Sequence, residues 1–177
     1  MPALAFLKTS PTSIVEQKKP PKKYTSKADA LVKLQRYCAY QERCHQEVRS
    51  KLLELGVFGD DLENIVAQLI EDNFLNEERY ARTFARGKFR MKQWGRNRII
   101  QELKLRGIPD YCIRKAMEEI GKGEYAEALE NLLAKKAGMI AGENDFEING
   151  KLAQYAIHRG FEVETVWEAI HKMKRTP

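Results

Sequence analysis

Three glycines, Gly56, Gly107 and Gly160, stand 51 and 53 residues apart, and each is framed by the same apolar positions. Eight residues ahead of them lie Val48, Ile99 and Leu152, four ahead lie Leu52, Leu103 and Ala156, and directly behind follow Val57, Ile108 and Phe161. Residues four apart share one helical stripe, and a glycine just past a helix takes the left-handed cap without a Cβ clash. Further on, Leu62, Ile113 and Val166 recur in register, as do Ile65, Ala116 and Ala169, then Val66, Met117 and Ile170, then Leu69, Ile120 and Met173. That spacing is the buried face of a following helix, for which Asp60 or Asp61, and Pro109–Asp110, supply start signals. Upstream of each pair lies another helical pattern: Ala30, Leu31, Leu34, Tyr37 and Cys38; Tyr80, Ala81, Phe84 and Met91; Tyr125, Ala128, Leu129, Leu132 and Leu133.

The reading is an all-α chain of three tandem three-helix repeats, over 27–74, 75–121 and 122–177, forming an elongated, curved helical array. No alternating β-branched run of strand length occurs, and beyond Pro21 only Pro109 and Pro177 remain. A unit near 50 residues is marginal alone, so burial between repeats should supply much of the stability. Residues 1–26 hold Pro2, Pro11, Pro20, Pro21 and two lysine pairs, the composition of a flexible basic arm. Such an arm serves either electrostatic affinity or solubility.

Charge divides the chain more sharply than the net +6 suggests. Residues 1–27 carry +5, 28–78 carry −6, 79–106 carry +9 and 107–177 carry −2. A solubilising surface intersperses both signs, so the segregation points to an anionic partner for the middle repeat. Within it, Asn76 reads as an N-cap, and Glu77 and Glu78 suit the positive end of a helix. Arg79, Arg82, Arg86 and Arg90 then fall along one face, with Tyr80, Phe84 and Met91 on the opposite, core-facing stripe. Lys88 and Lys92 widen the basic side, Trp94–Gly95 breaks the helix, and Arg96, Arg98, Lys104 and Arg106 continue the charge into the next one. These ten cations are the candidate binding residues. Seven are arginines, whose planar fork suits bidentate contact with phosphate or carboxylate. Glu102 fits an ion pair with Arg98 or Arg106 on its own helix. Trp94 is open to two readings, a stacking surface for a base or a residue packed between helices.

Other chemistries lack their residues. Cys38, Cys44 and Cys112 form no CxxC pair, and Cys44–His45 matches no zinc spacing, so neither a disulfide framework nor a metal site is expected, and a reducing compartment fits. Gly121-Lys122-Gly123 lacks the spacing of a phosphate-binding loop, and Gly142–Asn149 lacks the order of a calcium loop, fitting a loop before a helix cap. No nucleophile–base arrangement stands out, so the chain is not expected to be an enzyme or to need a cofactor. The short apolar stretch Ala3–Leu7 is no signal core, and no run approaches the length of a membrane span. A cytoplasmic, monomeric protein is expected.

Phe74-Leu75-Asn76-Glu77-Glu78-Arg79-Tyr80-Ala81, then Gly95-x-x-x-Ile99-x-x-Glu102-Leu103-x-x-x-Gly107-Ile108, resembles the RecX family of recombinase regulators, and Arg159-Gly160-Phe161 resembles that family's mark in its last repeat. The likeness covers about residues 27–175; Asn76 and Glu77 stand where the family has paired aspartates, and the first repeat is the least typical. The resemblance implies tandem three-helix repeats and a protein that binds the RecA recombinase, lies in the groove of the RecA–DNA filament and mostly inhibits it in DNA repair, recombination and the damage response. Single- or double-stranded DNA is implied as a further partner. The alternative is a stand-alone DNA-binding helical-repeat protein with no recombinase partner, and a third class is a scaffold for another acidic protein.

Overall fold

The computed structural model describes residues 26–142 and 144–173. Only Ser26 of the expected basic arm lies within them. The described residues form nine helices and no strand: α1 (Lys27–Tyr40), α2 (His45–Glu54), α3 (Asp60–Glu71), α4 (Glu77–Lys92), α5 (Arg96–Leu105), α6 (Asp110–Met117), α7 (Lys122–Ala137), α8 (Asp145–His158) and α9 (Val163–Met173). Close helix pairs fall within consecutive triples: α1, α2 and α3; α4, α5 and α6; α7, α8 and α9. No described helix is long and apolar enough to cross a membrane.

The glycine phase becomes the same cap three times. Gly56, Gly107 and Gly160 have φ of 80°, 70° and 93°, where an L side chain is strained. The N–H of Val57, Ile108 and Phe161 donates back to the carbonyl of Leu52, Leu103 and Ala156, at 3.0, 3.1 and 3.2 Å. Each glycine N–H donates to the carbonyl three residues earlier, which completes a Schellman motif. The apolar residue after each glycine is buried, as are the residues eight and four before it. Helix starts follow local rules: Ser26, Asn76 and Asn144 cap α1, α4 and α8 with their side chains. At α3 the cap is Gly59 (φ 62°), which places Asp60 and Asp61 inside the first turn rather than at the cap.

Two junctions join the triples, and they differ. The second and third triples share one core, in which Tyr125 packs between Phe89 and Phe161, with ring centroids 5.8 and 5.1 Å away. Here backbone meets backbone. The Gly95 N–H donates to the Arg159 carbonyl at 2.8 Å and the Asn97 N–H to the Gly160 carbonyl at 3.0 Å, so the open amides at the start of α5 are satisfied by the end of α8. Arg159 Nη1 returns a bond to the Lys92 carbonyl at 3.0 Å. The first triple has a separate core running from Ala30 to Leu75, and only Cys44 of its buried side chains joins the other one.

A methyl group tests the tight junction. A Cβ on Gly160 would lie 2.3 Å from Arg98 Cβ, and one on Gly95 would lie 2.2 Å from the Gly160 carbonyl, whereas a Cβ on Gly107 would meet nothing. Gly160→Ala is expected to lose about 3 kcal/mol or more in urea unfolding, and Gly107→Ala only the left-handed penalty of about 1–2 kcal/mol. Equal losses at the two sites would refute the backbone clasp.

Candidate functional site

The basic centre of the chain is α4 and α5. The Asn76 side chain accepts from the Arg79 N–H at 2.9 Å to start α4, and a left-handed Gln93 (φ 52°) ends it just ahead of Trp94–Gly95. The buried stripe is Tyr80, Ala81, Ala85 and Phe89. This corrects the sequence expectation for Met91, which is 82% exposed, and for Phe84, which is only half-buried. The two alanines allow α6, which brings Ala116, to pack closely against α4, and that contact turns Met91 outward.

On one side of that stripe runs the arginine row, and it meets carboxylates of the α1–α2 connection, of α4 itself, of the α6–α7 connection and of α7. Arg79 Nε donates to Glu42 Oε1 at 2.6 Å, with further bonds to the Asn73 side chain and carbonyl. Arg82 bridges Glu119 at 2.6 Å and Glu78 at 2.9 Å, and these bonds raise its guanidinium above the usual arginine value. Arg86 reaches Glu119 at 3.6 Å and Arg90 reaches Glu124 at 3.0 Å. The row therefore ties α4 to the end of α6 and the start of α7. Its charge is largely compensated within the chain.

The remaining six cations behave differently. Arg96 lies over the Tyr125 ring at 4.0 Å and donates to the Ile120 carbonyl at 3.1 Å, while its own N–H donates to the Tyr125 hydroxyl. Tyr125 in turn donates to Glu162 at 2.5 Å; burial, and then this bond, push its phenol well above the ordinary range. Arg96 is thus part of the junction between triples. Arg106 pairs with Glu102 at 2.5 Å and lies 5.0 Å from the Phe84 ring. Lys88 lies over both Phe84 (5.2 Å) and Trp94 (5.1 Å), and Arg98 lies over Trp94 at 4.2 Å. Among the described residues neither Lys88 nor Arg98 pairs with a carboxylate, and Lys92 and Lys104 form no ion pair. Of the two readings the sequence left open for Trp94, the structure shows the packed one: it packs against the shared core, and its ring also carries two cations.

Beside this ring-and-cation flank, between α4 and the α1–α2 connection, lies a cavity of about 400 Å³. Tyr80, Phe84, Gly87, Lys88, Met91 and Lys92 form one wall, with Arg106; Gln41, Glu42 and Glu47 form the other. Phe84, Gly87 and Met91 were missed as site residues. Their signal was present in the sequence, since a glycine stands inside the helical run and Met91 is out of phase with Ala81, Ala85 and Phe89. The three cysteines are free, and no group of His, Cys, Asp or Glu among the described residues is placed to hold a metal ion.

The same residues match models of a known family. Residues 76–117 match RecX, second three-helix domain, and 123–170 match RecX, third three-helix domain. The chain is 28% identical over 137 residues to the regulatory protein RecX of Prosthecochloris aestuarii, covering 77% of this chain and 88% of that protein. It is 24% identical over 138 residues to the RecX of Bacillus cytotoxicus, covering 78% of this chain but only 51% of that one, so the chain spans about half the length of such relatives. The fold matches the crystal structure of RecX from Lactobacillus salivarius with a TM-score of 0.76 at 22% identity, over 84% of this chain and 96% of that one. A second crystal structure of a regulatory protein RecX matches at 0.72 and 23%, over 82% and 73%.

If carboxylates mask the arginine row, removing them should expose it. The Glu119→Gln/Glu124→Gln variant is expected to leave heparin at higher salt than the parent and to melt at slightly lower temperature. Unchanged elution would show that the pairs do not mask Arg82, Arg86 and Arg90.

Proposed function

Because the chain belongs to the RecX family, whose two matching domain models together cover just over half of it, we propose that it binds a RecA-type recombinase or its DNA filament and modulates, chiefly inhibits, recombinase activity in DNA repair and recombination. The observation that carries this reading is the placement of the uncompensated cations. Lys88, Lys92, Arg98 and Lys104 all lie on the triple matched by the second RecX model. A fixed positive field on an otherwise acidic array favours a polyanion such as the phosphates of a filament's DNA, or an acidic protein groove.

In this reading the protein acts by occupation. It lies along the filament as a cytoplasmic monomer, with the triples at 27–74, 75–121 and 122–177 in series. Lys88, Lys92, Arg98 and Lys104 make the first contacts. Arg79, Arg82, Arg86 and Arg90 join where an anion displaces their carboxylates, while Arg96 and Arg106 hold the frame.

Co-sedimentation with preformed RecA–single-stranded DNA filaments, run beside naked DNA, tests the reading. The protein is expected to pellet with filaments at concentrations where naked DNA retains little, and to lower DNA-dependent ATP hydrolysis. The Lys88→Glu/Arg98→Glu variant should lose most of that inhibition at unchanged helicity. A parent protein that ignores filaments, or a reversal variant that inhibits fully, overturns it. Equal affinity for naked DNA and filament, with a log–log salt slope near −0.9 per phosphate, would favour the stand-alone DNA-binding reading.

A further inference from the structure

Gly87 has no role within the chain that explains it. It lies near the middle of α4, where glycine costs about 1 kcal/mol relative to alanine, and a Cβ added there would meet nothing within 4 Å. Neither a turn nor a close contact inside the molecule calls for it. Its position is the distinguishing feature: it lines the 400 Å³ cavity, between Phe84 and Met91 and next to Lys88. A helix backbone left bare at the wall of a cavity lets an outside group come close.

We infer that this cavity seats a nucleobase of a single-stranded nucleic acid, with the base entering over Gly87 against Phe84 and Met91, and the neighbouring phosphates taken by Lys88, Lys92 and Arg98. The charges decide the sign of the occupant. The acidic wall is partly engaged at home: Glu42 accepts from Arg79 through Oε1, while its Oε2 has no partner among the described residues, and Glu47 accepts from the Cys44 N–H and pairs with Arg43. Lys88 and Lys92, across from them, pair with no carboxylate among the described residues, so the charge left to meet a ligand's phosphates is cationic. The ring in the cavity wall is Phe84, a face on which any base can stack, while Trp94 with Arg98 over it at 4.2 Å stands beside the cavity, joined to Phe84 through Lys88. A duplex hides its base faces, which commits the seat to a single strand. At about 400 Å³ the cavity falls at the small end of ligand sites, in keeping with one base at a time. This seat is the nucleic-acid half of the regulatory reading and rests on it.

The test fills the cavity without touching a charge. Gly87→Met should fold at least as stably as the parent, since it replaces a helix-interior glycine by a good helix former. It is expected to bind an oligothymidylate of about fifteen nucleotides at least about tenfold more weakly. Gly150→Met, at another helix-interior glycine with open space around it, on α8 of the third triple, should bind within twofold of the parent. The parent should also bind an abasic oligomer of the same length about tenfold more weakly than oligothymidylate. Oligothymidylate binding left intact by Gly87→Met, or equal affinity for the abasic oligomer, overturns the seat. A parent that pellets with filaments yet binds no free oligonucleotide overturns the seat and leaves the regulatory reading standing. A parent that binds the oligonucleotide in this way but ignores filaments overturns the regulatory reading instead.

Discussion

The contact of Gly95 with Gly160 fixes where the second half of the basic centre, α5, begins. Two backbone hydrogen bonds cross it, and no side chain fits between the strands of chain that make it. It hands the first amides of α5 to carbonyls at the end of α8, so α5 starts in a fixed place against the third triple. Trp94 is the residue before the contact, and Arg96 and Arg98 are the first and third residues after it. Their directions follow from it: Arg96 turns inward onto Tyr125, and Arg98 turns back over Trp94. Arg98, one of the cations left without a carboxylate, is therefore held at the anchored start of a helix, where an exposed arginine usually is not.

Nothing comparable joins the first triple. Its crossing contacts are side chains: Cys44 against Tyr80, Arg79 with Glu42, and His45 with Glu77 at 3.5 Å. Glu42 Oε2 and Arg43 Nε are buried there with no hydrogen-bond partner among the described residues. Burial, more than the nearby Glu47 and Cys44, pushes the Tyr80 phenol above its ordinary range, and burial raises the Cys44 thiol as well, so this meeting point is apolar at its centre. Clefts open around it on several sides. A chain of three similar units is thus built as a fused pair with a more loosely attached third, and the cavity lies on the loose seam.

Most of the fold was legible because its signals are local. A helix stripe, a glycine and an apolar residue after it occupy some ten consecutive positions, and the Schellman cap they encode forms from those positions alone. The phase of α4 was the exception. Tyr80 and Ala81 belong to the stripe as read, but Phe84 and Met91 looked like its continuation, whereas Ala85 and Phe89 face the core. Small residues carry little hydrophobic signal of their own, and their value appears only when α6 approaches. The partners of the cations were not legible for the same reason of distance. Glu119 stands 37 residues from Arg82 and Glu124 stands 34 from Arg90. Segment charges count formal groups and say nothing of which ones meet, so the arginine row looked like the free surface and the ring-bound cations like its edge.

That reversal bears on how the surface can work. An anion approaching the arginine row must replace carboxylates that already hold α4 to the α6–α7 corner, and what it gains is offset by what it displaces. Exposed ion pairs are individually weak, so the exchange is possible, but it is close to neutral and loosens the frame. On the opposite flank Lys88 and Arg98 rest on rings. A cation over an aromatic face keeps its charge and its open hydrogen-bonding side, so a phosphate can add to the arrangement without dismantling it. Binding that begins at Lys88 and Arg98 and spreads to the arginines only as their carboxylates yield would be graded by the charge density of the partner. A long polyanion supplies the density to drive both stages, and a scattered acidic surface supplies only the first.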